Sequence, residues 1–160
     1  MENVRQATEN DALTVGLARD LRKADRAEIA ASSNREPVDA LLQGVKDSER
    51  SWVIDFEGDV LSVFGFVTNP LDRDIGHPWL LARDALFTEG TRERAWFIKN
   101  SNAIVDLGRP LYTNLYGAID SRNVGHIRWL RHCGFLIGGH KWTKSAVPFL
   151  EFSKEYTSNV

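Results

Sequence analysis

The amino-acid sequence predicts an α/β (α+β) fold built on one mixed sheet. Three observations carry this expectation. Segments of helical period alternate along the chain with segments rich in β-branched and aromatic residues. Two of the latter flank the turn Glu57-Gly58-Asp59, as in an antiparallel hairpin. A helical stretch from Arg122 to His132 stops at Gly134 and passes at once into a strand at Phe135.

Val4 to Ala7 reads as a short strand, and Thr8, Asn10 and Asp11 offer N-cap chemistry for a helix just beyond it. Leu13, Leu17, Leu21 and Ala24 recur at helical spacing, so a helix is expected through them. A second helix is expected from Asp25 to Ala31, and a third from Val38, just after Pro37, to Val45. Ser51 to Phe56 and Val60 to Val67 are the two arms of the hairpin, and Pro78 to Ala82 is a further strand. Thr91 to Leu107 is the longest helix, stopped by Gly108 with Pro110 beyond. Leu111 to Ile119 is the next strand, placing Tyr112, Asn114 and Tyr116 on one face. Phe135 to Ile137 and Val147 to Phe152 close the order.

Composition narrows the function. The chain of 160 residues has no internal repeat and no linker, so a single domain over 1–152 with a polar tail over 153–160 is expected. A net charge of −2 gives no uniform basic field, which disfavours a general nucleic-acid binder. The lone Cys133 excludes an intramolecular disulfide and a Cys-rich zinc site, and fits a reducing, cytoplasmic compartment. No apolar run approaches the ~18 residues of a membrane helix, and no h-region comes after Met1 as in a signal peptide. His77, His126, His132 and His140 show no metal-ligand spacing, and neither a Gly-x-Ser-x-Gly elbow nor a Walker loop is present.

Asn123 to Phe135 carries the strongest signal. On a helix, Asn123, Ile127, Leu130 and Gly134 share a face, widened by Val124, His126, Trp129 and Cys133, while Arg128 and His132 point away. The segment resembles the last motif of the GCN5-related N-acetyltransferase (GNAT) family. There an Asn opens a helix and Gly-Phe stands eleven and twelve positions later, as Gly134 and Phe135 do here. The order of elements resembles that family over nearly the whole chain. The resemblance implies a mixed, mostly antiparallel central sheet flanked by helices. A narrower likeness, in Pro78 to Ala82, in Arg92, Arg94 and Lys99, and in Asn123 to Gly134, is to an acetyltransferase-like family of short-tailed bacteriophages. It implies a phage-encoded protein of the host cytoplasm.

The resemblance also implies a cofactor, acetyl-CoA. Backbone groups at Leu81, Ala82 and Arg83 are expected to hold its pantetheine arm. Thr88, Gly90, Thr91 and Arg92 stand where the family binds the pyrophosphate on helix N-terminal amides. The family's loop is Gln/Arg-x-x-Gly-x-Gly/Ala; only Gly90 fits it, with Phe87 and Arg92 departing. Asn123 and Trp129 are expected beside the arm, and Arg94 joins Arg92 as a candidate partner for phosphate. A basic cluster of Arg122, Arg128, Arg131, His132 and Lys141 is a candidate contact for RNA, protein or the cofactor's 3′-phosphate, with a solvated face as its plainer alternative. The family's Tyr acid falls at Leu130 and is missing, so Tyr116 is the candidate acid and Glu28, with Asp25, the candidate base or cation-holding carboxylate. Each has a plainer alternative: a buried ring with its hydroxyl at the rim for Tyr116, an N-cap for Thr88 or Thr91 and a solvated face for Arg92 and Arg94, core packing for Trp129, His126 and Cys133, a solvated helix face for Asp25 and Glu28, and exposure for Asp55 and Glu57. The implied partners are a coenzyme A thioester and a small-molecule amine or host protein acceptor, with the protein a monomer or homodimer. The alternative function is an inactive relative acting by protein binding.

Overall fold

A computed structural model describes residues 1–12, 15–142 and 145–157. Seven strands form one sheet in the order β1-β2-β3-β4-β5-β7-β6. They are β1 (Val4–Gln6), β2 (Arg50–Phe56), β3 (Asp59–Thr68), β4 (Ile75–Ala82), β5 (Asn114–Asp120), β6 (Leu136–Trp142) and β7 (Pro148–Glu155). Every neighbouring pair is antiparallel except β4 and β5. The expected mixed, mostly antiparallel sheet is therefore present.

Helices cover both faces. On one side lie α1 (Glu9–Ala12), α2 (Val15–Arg19), α3 (Lys23–Ser32) and α4 (Pro37–Asp47), enclosing Leu17, Leu41, Val53, Val63 and Leu81. On the other, α5 (Arg92–Asp106) and α6 (Val124–His132) bury Phe64, Phe97, Ile104, Leu115 and Leu130. Glu57 and Gly58 both have positive φ (53° and 88°), the two-residue turn that suits the twist of the β2–β3 hairpin. Gly134 (φ 84°) ends α6, with the Phe135 amide donating back to the Leu130 carbonyl at 3.0 Å.

Four local expectations are corrected. The helix through Leu17, Leu21 and Ala24 is broken, and Leu13 of that pattern lies outside the described residues. Leu21 instead forms a β-bridge with Arg83, yet its side chain is buried beside Leu17, so the apolar spacing is satisfied without a continuous helix. Leu111 to Thr113 precede β5, because the Tyr112 amide turns back to the Gly108 carbonyl at 3.0 Å. Val124 is exposed and does not widen the buried face of α6. Of the expected polar tail, Ser153 to Glu155 continue β7 and Tyr156 is buried, its hydroxyl donating to the Val105 carbonyl. The tail's last three positions, 158–160, lie outside the described residues.

The feature that positions the site is the parting of β4 from β5. They pair only at Ile75↔Asn114 and Gly76↔Leu115. The Asn69 amide bonds to Ile75 O and Arg83 N to Leu61 O, so odd-numbered β4 residues face β3 and even-numbered ones face β5. The next even position is Pro78, which has no N–H to continue the ladder. His77 meanwhile takes the Tyr116 carbonyl at 2.7 Å. A carbonyl only accepts, so Nδ1 carries the proton and Nε2 accepts from Asn69 Nδ2 at 3.0 Å. Beyond this point the strands diverge and leave a wedge open at their C-terminal ends.

The closed end of the wedge is tightly packed. A Cβ on Gly76 would lie 2.5 Å from the Tyr112 ring, whose hydroxyl is held by Thr68 at 2.8 Å. Gly76→Ala is expected to destabilise the protein by roughly 1–3 kcal/mol through overpacking. Urea denaturation checks this, and an unchanged midpoint would contradict the packing described.

Candidate functional site

The wedge holds a cleft of about 550 Å³, within the size of small-ligand pockets. Glu28, Trp79 and Tyr116 line it on the α3 side, and Leu80, Leu115 and Trp129 towards α5 and α6. The alternation of β4 directs the backbone N–H and C=O of Leu80 and Ala82 into the wedge, while those of Leu81 and Arg83 face β3. Of Leu81, Ala82 and Arg83, only Ala82 thus turns its backbone into the wedge, as Leu80 does, a parity that the sequence does not mark. Arg83 instead ties the strand down, donating from Nε to Val60 O at 2.9 Å and from Nη1 to Asp20 at 3.1 Å.

Glu28 is in the cleft wall, and its Oε1 accepts from the Asp120 amide on β5 at 2.9 Å. Burial pushes its pKa up to about 7, the nearby Asp25 and Asp120 charges adding to the rise while the Asp120 N–H opposes it. A carboxylate titrating there exchanges a proton readily at neutral pH. Tyr116 shares the cleft; Lys141 Nζ lies 4.7 Å over its ring, and the His77 ring is 6.1 Å away.

Between the lips of the wedge lies a buried polar cluster. Asp25 Oδ1 accepts from Arg22 Nη1 at 3.0 Å and from Asn123 Nδ2 at 3.2 Å. Arg22 Nη2 also donates to Asn123 Oδ1 at 3.2 Å, and its guanidinium stacks 3.9 Å over the Phe87 ring. Ala82 donates its amide to Asp25 Oδ2 at 3.1 Å and accepts at its carbonyl from the Arg22 amide at 2.9 Å. Asp25 is fully buried, which overturns the solvated-face alternative for it. Its pKa is raised by that burial, with Arg22 opposing. Asn123 makes no cap bond to α6; its side chain serves the cluster instead. Arg22 was missed in the sequence because nothing in its spacing marks it.

The loop before α5 departs from the expected anion cradle. Thr91 is an N-cap, its Oγ1 accepting from the Arg94 amide at 3.1 Å, and Thr88 donates to the Asp84 carbonyl at 2.8 Å. Gly90 has φ 85°, with open space around it. Arg92 pairs with Glu57 on the hairpin turn at 2.9 Å and with Glu93 at 3.2 Å. Arg94, Arg128 and His132 line a 220 Å³ pocket between α5 and α6, together with Glu89, Phe87 and Gly125.

The remaining candidates are packing groups. Trp129 stacks on Phe97 (4.8 Å between centroids, 16° between planes) and donates from Nε1 to Ser101 at 2.9 Å, a fixed wall of both pockets. His126 is buried with no partner on Nδ1, and burial with the Arg22 charge lowers its pKa to about 3, so it stays neutral. Burial raises the Cys133 thiol to about 12. Glu57 is exposed, as expected, and Asp55 is half-buried beside Arg5. Among the described residues no group is placed to hold a metal ion, and no helix is long and apolar enough to cross a membrane.

Comparison with known proteins places this architecture. No family model matches the sequence, and no curated protein matches it by sequence. Solved structures do match in fold. YncA of Salmonella typhimurium, solved with its cofactor acetyl-CoA, aligns at a TM-score of 0.70 and 16% identity, covering 98% of this chain and 94% of that one. The ribosomal-protein-alanine N-acetyltransferase of Brucella melitensis aligns at 0.70 and 16% identity, covering 96% and 99%. A GNAT-family acetyltransferase of Streptococcus pneumoniae aligns at 0.59 and 16% identity, covering 96% and 98%. The fold is that of the GNAT acetyltransferases, as the Asn123 to Phe135 segment implies.

The raised pKa of Glu28 has a stability consequence. Between its ordinary value of 4.5 and about 7 the folded chain holds a proton that the unfolded chain has released. This group therefore makes stability fall as pH rises through that window. Glu28→Gln is expected to remove that part of the slope in denaturation midpoints taken from pH 4 to 8. An identical slope in the variant would place the carboxyl back in its usual range.

Proposed function

We propose that the chain is an acetyl-CoA-dependent N-acetyltransferase in which Glu28 takes the proton of the attacking amine. The observation that carries this reading is a carboxylate tuned to near neutrality in the cleft between two parted parallel strands. It stands in a fold whose solved neighbours include one bound to acetyl-CoA.

The chain's groups suit the cofactor. Arg94, Arg128 and His132 are grouped between α5 and α6, and the first-turn amides of α5 other than that of Arg94, which Thr91 caps, would add to them. These residues would take the phosphates. Leu80 turns its amide and carbonyl into the wedge and would pair with the arm; Ala82 faces the same way, behind Arg22 and Asp25. Trp129 would wall the thioester end. When bound, the cofactor supplies an acyl thioester as electrophile.

Glu28, anchored through the Asp120 amide, receives the amine proton. Tyr116, which lines the same cleft from β5, is the hydroxyl that returns a proton to the departing group. Most of the acceleration comes from holding donor and acceptor together in the wedge. The likeness to the bacteriophage family supports a phage-encoded enzyme of the host cytoplasm that acts on a small-molecule amine or a host protein.

A second reading, a GNAT-fold protein that works by protein binding without chemistry, is favoured by one observation. Both backbone groups of Ala82 are already bonded within the chain. Calorimetry with acetyl-CoA separates the two readings: submillimolar binding supports the enzyme, and the absence of heat favours the binder. Glu28→Gln is expected to lower turnover by roughly 10²–10⁴-fold, with acetyl-CoA affinity unchanged. Full turnover in that variant would remove Glu28 from the mechanism.

A further inference from the structure

We infer that Leu21 to Asp25, a single β-bridge running into the first turn of α3, is an intramolecular latch that occupies the open edge of β4 and must leave before a cofactor arm can pair there. The inference rests on the cofactor-dependent reading above.

Three contacts define the closed state. Leu21 bridges antiparallel to Arg83, the Arg22 amide donates to Ala82 O at 2.9 Å, and Asp25 Oδ2 accepts from the Ala82 amide at 3.1 Å. Together they satisfy the edge of β4 where β5 has moved away. An edge residue has one outward amide and one outward carbonyl, so no second extended chain can pair with Ala82 while the latch is closed. Arg22 fastens it through Asp25 at 3.0 Å and Asn123 at 3.2 Å, with its face on Phe87. Gly125 makes room for it: a Cβ there would lie 3.1 Å from Arg22 Nη2.

The means of release is built in beside the latch. Phe87 and Gly125, which touch the Arg22 guanidinium, also line the small pocket with Arg94, Arg128 and His132. An anion entering that pocket competes with Asp25 for Arg22 by charge-assisted hydrogen bonds. Drawing Arg22 away removes the cation that fastens Asp25, and moving the Arg22 backbone with it releases the Ala82 carbonyl, which leaves Asp25 held to the β4 edge by the Ala82 amide and to α6 by Asn123. The connection between α2 and α3 is only Asp20 to Arg22, so the movement involves that joint and the first turn of α3, which carries Asp25.

Hydrogen exchange on the wild-type chain with coenzyme A tests this without a variant. The Arg22 amide is expected to exchange slowly in the free protein and faster when coenzyme A is bound, the reverse of ordinary ligand protection. Asp25→Ala is expected to bind coenzyme A about tenfold more tightly or better, since it removes a closed state that competes with binding. Asp25→Asn, which keeps the shape, is the alternative if the alanine variant does not fold. Binding by the variant alone also supports the latch. Equal affinity in wild type and variant, with Arg22 exchange unchanged, overturns the latch and leaves the cofactor reading standing. No binding by either overturns the cofactor reading and the latch with it.

Discussion

The loss of pairing between β4 and β5 after two rungs is the constraint on which the rest of the structure depends. Pro78 offers no N–H, and His77 spends its imidazole on the Tyr116 carbonyl, so backbone groups on both strands face a gap instead of a partner. Buried backbone groups must be satisfied. One turn of α3 does this for both lips. Asp25 takes the Ala82 amide on β4, and Glu28, three residues on and on the same face of the helix, takes the Asp120 amide on β5. The helix bridges the wedge like a staple, and its two carboxylates are where they are because two strands came apart.

The electrostatics come from that arrangement. Of the two carboxylates on this helix face, Asp25 is paired with the Arg22 guanidinium at 3.0 Å, and Glu28 feels the charge of Arg122. Burial raises both pKa values. Glu28, supported by a backbone N–H, is left near neutrality, while Asp25 is tied into a structural cluster. The helix face thus divides its labour: one acid group holds the fold and the next is free to titrate.

Much of the fold was legible because it rests on local signals. Gly134 after a helix, the Glu57-Gly58 turn and Pro37 at a helix start are each read within a few residues, and each lies where expected. The parting of β4 and β5 was written in Pro78, but its meaning needed the partner strand and the parity of the ladder. Glu28 and Tyr116 were found as residue types, and the structure brings them to one cleft. The surroundings of the loop before α5 were not legible. Arg92 is engaged by Glu57, 35 positions away, and Arg22 reaches Asn123 across 101 positions, pairings that no local pattern encodes. The broken helix at Leu21 was hidden because a bridge to Arg83 buries the same side chain that a helix would have buried.

The two ends of the sheet bear on how the molecule behaves among its own copies. One border is β1, only three residues long. The other is β6, where the register slips between Gly138 and His140 and Gly139 takes a positive φ of 69°. His140 and Lys141 stand exposed on that border. A short strand at one margin and an irregular, cation-bearing one at the other are poor templates for strand addition. The sheet therefore keeps its long, regular strands in the interior, where a neighbouring chain cannot extend them into an aggregate.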